Sequence, residues 1–164
     1  MSNVLMKAKN LKKTFKGCVA YDGIYLTIES GKIYALAGEN GAGKSTLMKM
    51  LYGVYKMDGG ELYIDGKKME KYNPSIARAR GIGMVFQDFR LIPAFTALEN
   101  TFITLEDMGM YFNRTVLRQR MKEISKQYNL GVNPDESVWS LDLGQRQNIE
   151  ILKVLLNKNS RILI

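Results

Sequence analysis

The chain has 164 residues, of which 46% are hydrophobic and 24% charged; this is the composition of one globular domain and excludes a disordered tail or a disulfide-stapled miniprotein. The single cysteine, Cys18, has no intramolecular partner and reads as a buried structural thiol. Formal net charge is +8, with basic residues clustered at Lys7, Lys9, Lys12, Lys13 and Lys16 and again at Arg114, Arg118, Arg120, Lys122 and Lys126, a pattern that suits either anionic partners or solvated faces.

No apolar run approaches the ~18 residues of a membrane span, and Met1 to Asn10 lacks the parts of a secretory signal. A cytoplasmic location is the resulting expectation.

The first third reads as β-structure. Tyr21 to Ile28 alternates in polarity as a half-buried strand does, and Ile33 to Ala37 is a continuous apolar run of the kind found in buried parallel strands. A helix follows over Ser45 to Tyr52, with Leu47, Met48 and Leu51 at helical spacing and Gly53 as its stop. Gly59-Gly60 opens a strand over Glu61 to Ile64, closed by the Asp65-Gly66 turn. Asn73, Pro74 and Gly81 are the N-cap, first residue and terminator of a short helix, and Ile82 to Phe86 is a second core strand.

From about residue 88 the pattern turns helical. Leu117, Met121, Ile124 and Tyr128 make one apolar stripe. Gly144 to Leu156 is apolar nearly all round and so predicts a buried helix, and Arg161 to Ile164 predicts another buried strand. Tyr128 and Trp139 read as packing residues.

Between the apolar run and the first helix lies Gly38-Glu39-Asn40-Gly41-Ala42-Gly43-Lys44-Ser45, which fits G-x-x-x-x-G-K-[ST]. A loop that wraps phosphates must turn successive amides inward, and glycines permit the backbone this requires. The helix that follows adds its free amides and the positive end of its dipole. Lys44 is placed to reach the β- and γ-phosphates of a nucleotide, Ser45 to ligate Mg²⁺, and Thr46 to touch the α-phosphate.

With further motifs in order, the chain resembles the ATP-binding subunits of ABC transporters. Gln87, in Gly83-Met84-Val85-Phe86-Gln87, looks like that family's Q-loop glutamine, which touches Mg²⁺ and the attacking water. Leu141-Asp142-Leu143-Gly144-Gln145 looks like the LSGGQ signature, which contacts ATP held by a partner domain, and Phe15 stands where an aromatic stacks on adenine. The phosphate-loop wording through Lys49, Gly81 to Gln87, Leu91-Ile92-Pro93 and Glu99-Asn100 resemble importers of simple sugars or nucleosides, in which this chain matches the first of two tandem cassettes.

The resemblance implies an α/β P-loop NTPase (RecA-like) core, with N-terminal antiparallel strands and an inserted helical subdomain, incomplete at its C-terminus. Its divisions would be an ATP-binding core over 1–87, a helical subdomain over 88–143, and the signature helix with the start of the Walker B strand over 144–164. It further implies ATP and Mg²⁺ as cofactors, and a place on the inner face of the cell membrane. The implied partners are transmembrane permease subunits, a second ABC domain and, indirectly, an extracytoplasmic solute-binding protein, with no nucleic acid.

Two departures stand out. Asp142 replaces the signature serine, so an acceptor-only carboxylate would face a triphosphate. The family's Walker B aspartate, its neighbouring glutamate and the switch histidine lie beyond Ile164 in the pattern, and neither Glu136 nor Glu150 stands in their place, so residues 1–164 alone would bind ATP and hydrolyse it poorly. The alternatives are a non-catalytic nucleotide-binding module and a soluble ABC protein acting on nucleic acid or ribosomes.

Overall fold

A computed structural model describes residues 3–107, 113–157 and 159–164. The chain divides into two compact units, Met1–Gly83 with Ile164, and Met84–Leu163. The remainder of the 88–143 stretch, residues 108–112, lies outside the described residues.

The first unit is built on an antiparallel sheet. Its two long strands are β1 (Val4–Phe15) and β2 (Cys18–Glu29), and β3 (Gly59–Ile64) and β4 (Lys67–Lys68) complete the order β2-β1-β3-β4. One face of β1 and β3 carries the core residues Met6, Ala8, Leu11, Leu62 and Ile64, as the two-residue period of a pleated strand requires. The β3–β4 turn is made by Asp65 and Gly66, both at positive φ (50° and 74°), the backbone expected of a tight hairpin.

Helix α1 (Lys44–Leu51) buries Leu47, Met50 and Leu51. The Tyr72 hydroxyl donates to the Leu51 carbonyl at 2.6 Å, and burial pushes that phenol well above its ordinary pKa. Helix α2 (Pro74–Ala79) begins as its sequence dictates: Asn73 Oδ1 accepts the Ile76 amide at 2.9 Å, and Pro74 fills the first position.

Several expectations do not hold in this unit. Ile33 to Ala37 forms no strand; the run is exposed, Ile33 fully so, and no described strand takes its amides and carbonyls. A hydrophobic run becomes a strand only where neighbours complete its ladder. The second core strand is also short: β5 spans only Ile82–Gly83, followed by irregular backbone over 84–86. Cys18 is exposed because it starts β2 at the turn end of the β1–β2 hairpin, paired with Phe15 beside the Lys16-Gly17 turn.

The second unit is helical: α3 (Ala97–Asp107), α4 (Arg114–Gln127) and α5 (Leu143–Leu155), with a 3₁₀ turn at Val138–Ser140. Leu98 and Leu105 of α3, Leu117, Met121 and Ile124 of α4, and Ile149 and Leu152 of α5 form one core. Thr96 and Glu99 close a reciprocal cap on α3. The Thr96 amide donates to Glu99 at 2.8 Å and the Glu99 amide to Thr96 Oγ1 at 3.2 Å, and these bonds hold the Glu99 carboxyl below the usual range. The buried Asn100 side chain stitches the preceding loop, accepting from the Ile92 amide at 2.6 Å and donating to the Ile92 carbonyl at 3.0 Å.

Here too the structure departs from the pattern. Tyr128 caps α4 rather than continuing its stripe and is half exposed, and Trp139 is 71% exposed. Helix α5 is not apolar on its buried side throughout. Ile151, Val154 and Leu155 are only half-buried, while Glu150 and Lys153 pair at 2.9 Å with each side chain 6% exposed. The predicted terminal strand reduces to β6 (Ile162–Leu163), and the Ile164 amide donates to the Gly83 carbonyl at 2.9 Å.

Gly60 tests the β1–β3 register. Asn10, at φ 53°, opens an irregularity in β1, and a Cβ on Gly60 (φ 89°) would lie 2.3 Å from the Asn10 carbonyl oxygen. Gly60→Ala should destabilise the protein by at least about 2 kcal/mol in urea unfolding; an unchanged midpoint would show that the sheet relaxes freely there.

Candidate functional site: the glycine loop and its flanking aromatic

The loop predicted to hold phosphate runs from Gly38 into α1. Its turn is set by glycines in the left-handed region, Gly41 and Gly43 both at φ 86°. Most side chains pay a steric cost there, and at Gly43 the space is closed as well: a Cβ would sit 2.8 Å from the Tyr21 hydroxyl. Gly43 is also the N-cap of α1 and supplies no side-chain acceptor. A serine or aspartate there would occupy first-turn amides; glycine leaves those of Lys44 and Ser45 open to an outside anion.

The Lys44 ammonium lies inside the loop, donating to the carbonyls of Gly38 at 2.6 Å and Glu39 at 2.7 Å. It therefore ties the start of the loop to the start of the helix. The Ala42 amide donates to the Glu39 carbonyl at 3.2 Å, and the Thr46 amide to the Gly43 carbonyl at 2.7 Å. Glu39, Asn40, Gly41, Ala42 and Ser45 are exposed, as a ligand-contacting loop must be.

Mg²⁺ takes oxygen ligands and is commonly held by one or two protein groups plus substrate phosphates. The exposed Ser45 hydroxyl, at the helix start beside the phosphate loop, fits that donor set. Gln87 lies in an exposed bend after β5, with its amide oxygen a ligand of the same hard type.

Phe15 ends β1 and is 39% exposed. The Lys13 ammonium stands over its ring at 5.3 Å from the centroid, and the Tyr55 ring meets it edge-on at 5.5 Å and 76°. Asp58 holds that end of the strand: it accepts the Thr14 amide at 2.8 Å and the Lys13 ammonium at 3.0 Å. Those two bonds keep the Asp58 carboxyl below the usual range. Tyr21, paired with Lys13 across the hairpin, reaches the phosphate loop, its hydroxyl 3.5 Å from the Ala42 carbonyl. Burial raises the Tyr21 phenol's pKa.

The first unit thus brings Phe15 and the whole loop from Gly38 to Thr46 into one body, and the second carries Gln87 and the signature-like segment. Sequence reasoning missed Tyr21, Tyr55 and Asp58. The two tyrosines sit outside any motif, and Asp58 announces itself only through the β1 groups that it binds.

In the signature-like segment Leu141 is buried and Asp142, Leu143, Gly144 and Gln145 are exposed. Asp142 and Gln145 form a capping box on α5. The Asp142 carboxylate accepts the Gln145 amide at 2.8 Å, and Gln145 Oε1 accepts the Asp142 amide at 2.9 Å. Arg146 braces the turn by donating to the Leu141 carbonyl at 3.0 Å and the Trp139 carbonyl at 3.3 Å.

Comparison with known proteins identifies the family. The chain is 40% identical over 152 residues to a ribose import ATP-binding protein of Rubrobacter xylanophilus, covering 92% of this chain and 31% of that protein. It is 41% identical over 147 residues to a guanosine import ATP-binding protein of Bacillus subtilis, covering 89% of this chain and 29% of that one. It therefore spans about a third of the length of these curated relatives. Among solved structures, a dimeric bacterial ABC transporter cassette matches with a TM-score of 0.80 and 32% identity over 94% of this chain and 70% of that one. The ABC transporter family pattern itself matches residues 21–164. The chain belongs to the ABC transporter family, and its fold is that of the family's P-loop ATPase cassette.

Proposed function

We propose that this chain is an ATP-binding cassette of an importer for a small solute of the sugar or nucleoside class. The observation that carries this reading is the loop from Gly38 to Ser45: left-handed glycines, an uncapped helix start and a central ammonium make a receptor for a polyphosphate. Phe15 supplies a stacking surface for adenine, Lys44 compensates the β- and γ-phosphates, Ser45 ligates Mg²⁺, and Thr46 contacts the α-phosphate. Among the described residues no helix is long and apolar enough to cross a membrane, so transmembrane permease subunits would supply the translocation path. A solute-binding protein would deliver cargo on the far side, placing this chain peripherally on the inner face.

Phosphoryl transfer depends on positioning and charge compensation. The glycine loop provides the compensation for one nucleotide, and a second cassette, in tandem or as another copy, would close over it with its signature segment. Hydrolysis is assigned to that assembled pair. The solute is left as a class, because relatives named for ribose and for guanosine match almost equally well.

Asp142 favours a second reading, a site that binds nucleotide and turns it over weakly. Its carboxylate is at the N-terminus of α5 and already engaged by the Gln145 amide. It thus adds negative charge and occupies a donor at the place where a partner's γ-phosphate would arrive.

Two variants test these readings. Lys44→Ala should abolish MgATP binding in titration calorimetry; unchanged affinity would refute the assignment of the loop. Asp142→Ser, which preserves a helix cap, should strengthen ATP-dependent association of cassettes by roughly fivefold in analytical ultracentrifugation. No gain would remove Asp142 as the source of a weakened sandwich.

A further inference from the structure

The ring of Phe15 is held from two sides, one support leading back to the helix that starts at the phosphate loop and the other to the segment that follows it. Tyr55 meets the ring edge-on at 5.5 Å. The Tyr55 amide donates to the Lys49 carbonyl at 3.2 Å, and the Lys49 ammonium stands over the Tyr55 ring at 5.6 Å. Lys49 lies in the last turn of α1. Eight helical residues span about 12 Å, so one short rigid rod carries the anion cradle at its start and the buttress of an aromatic plate at its end.

The second support runs through the strand. Asp58 binds the Thr14 amide and the Lys13 ammonium, and its own amide donates to the Lys12 carbonyl at 3.0 Å. Three consecutive residues before Phe15 are therefore pinned by the segment that follows α1. Lys13 in turn stands over the Phe15 ring, so the ring's plane is fixed by a cation and by an aromatic edge. An unsupported phenylalanine beside a hairpin turn would sample several rotamers, and a base stacking on it would have to order the ring first.

We propose that Tyr55 is a positioning residue for nucleobase recognition, holding the Phe15 ring in the orientation that a purine stacks on and coupling that plate to the phosphate loop through α1. The proposal rests on the reading of Phe15 as the base-stacking surface. It predicts a division of labour within one site: Lys44 and the loop amides serve the phosphate chain, and Tyr55 serves only the base. An edge-to-face pair is worth enough to change affinity about two- to tenfold.

The test is calorimetric titration of the purified protein with MgATP and, separately, with magnesium tripolyphosphate, which has the anionic chain and no base. Tyr55→Leu should weaken MgATP by about two- to tenfold and leave tripolyphosphate within error of the parent. Tyr55→Phe, which keeps the ring, should restore MgATP binding. Equal losses for both ligands would overturn the proposal, since Tyr55 would then merely hold α1 or the fold, and so would no loss for either. Phe15→Ala separates this inference from the reading beneath it. Unchanged MgATP affinity in that variant would sink the base-stacking role itself, whereas a selective loss there with none in Tyr55→Leu would sink only the role of Tyr55.

Discussion

The first unit is organised around main-chain amides that its own helix cannot use. Every α-helix begins with free N–H donors, and most cap them with a side chain, as Asn73 does for α2 and Asp142 for α5. Helix α1 does not, because its N-cap is a glycine. Gly41 and Gly43 turn the loop through the left-handed region, and the Lys44 ammonium, bonded to two loop carbonyls, ties its start to α1. Around that opening the antiparallel sheet acts as a mount: Tyr21 touches the loop, and the β1 end brings Phe15.

The second unit solves a different problem, namely how to fix helix starts. Reciprocal caps at Thr96–Glu99 and Asp142–Gln145 define where α3 and α5 begin, and Asn100 locks the loop ahead of α3. Arg146 then clamps the turn before α5, leaving Asp142 to Gln145 displayed on a rigid base. Leu143 within that segment and Trp139 just ahead of it are 69% and 71% exposed. A large apolar side chain held on a fixed backbone is the kind of group that interfaces use.

What could be read from sequence was what depends on a few adjacent residues. The Asp65-Gly66 turn, the Asn73-Pro74 helix start, and the α1 and α4 core positions Leu47, Leu117, Met121 and Ile124 follow from local chemistry and period. The α/β class and its family followed from the glycine loop standing in order with other motifs. Features that need distant partners were misread. Ile33 to Ala37 has strand chemistry and no ladder, and Cys18 and Trp139 are types that usually sink inward and here do not. Tyr21, Tyr55 and Asp58 carry no signal of their own because their meaning lies in what folds against them.

The Glu150–Lys153 pair in α5 has a bearing on how this sequence can drift. Both charges are almost wholly out of water and each is the other's counter-ion one helical turn away. Replacing either alone strands an uncompensated ion in a region of low dielectric, at about 3–5 kcal/mol, a sizeable part of a domain's total stability. Replacing both with apolar residues of similar volume can be nearly neutral. The two positions are thus separated from an apolar alternative by a valley that single substitutions must cross, and they should be inherited, or lost, together.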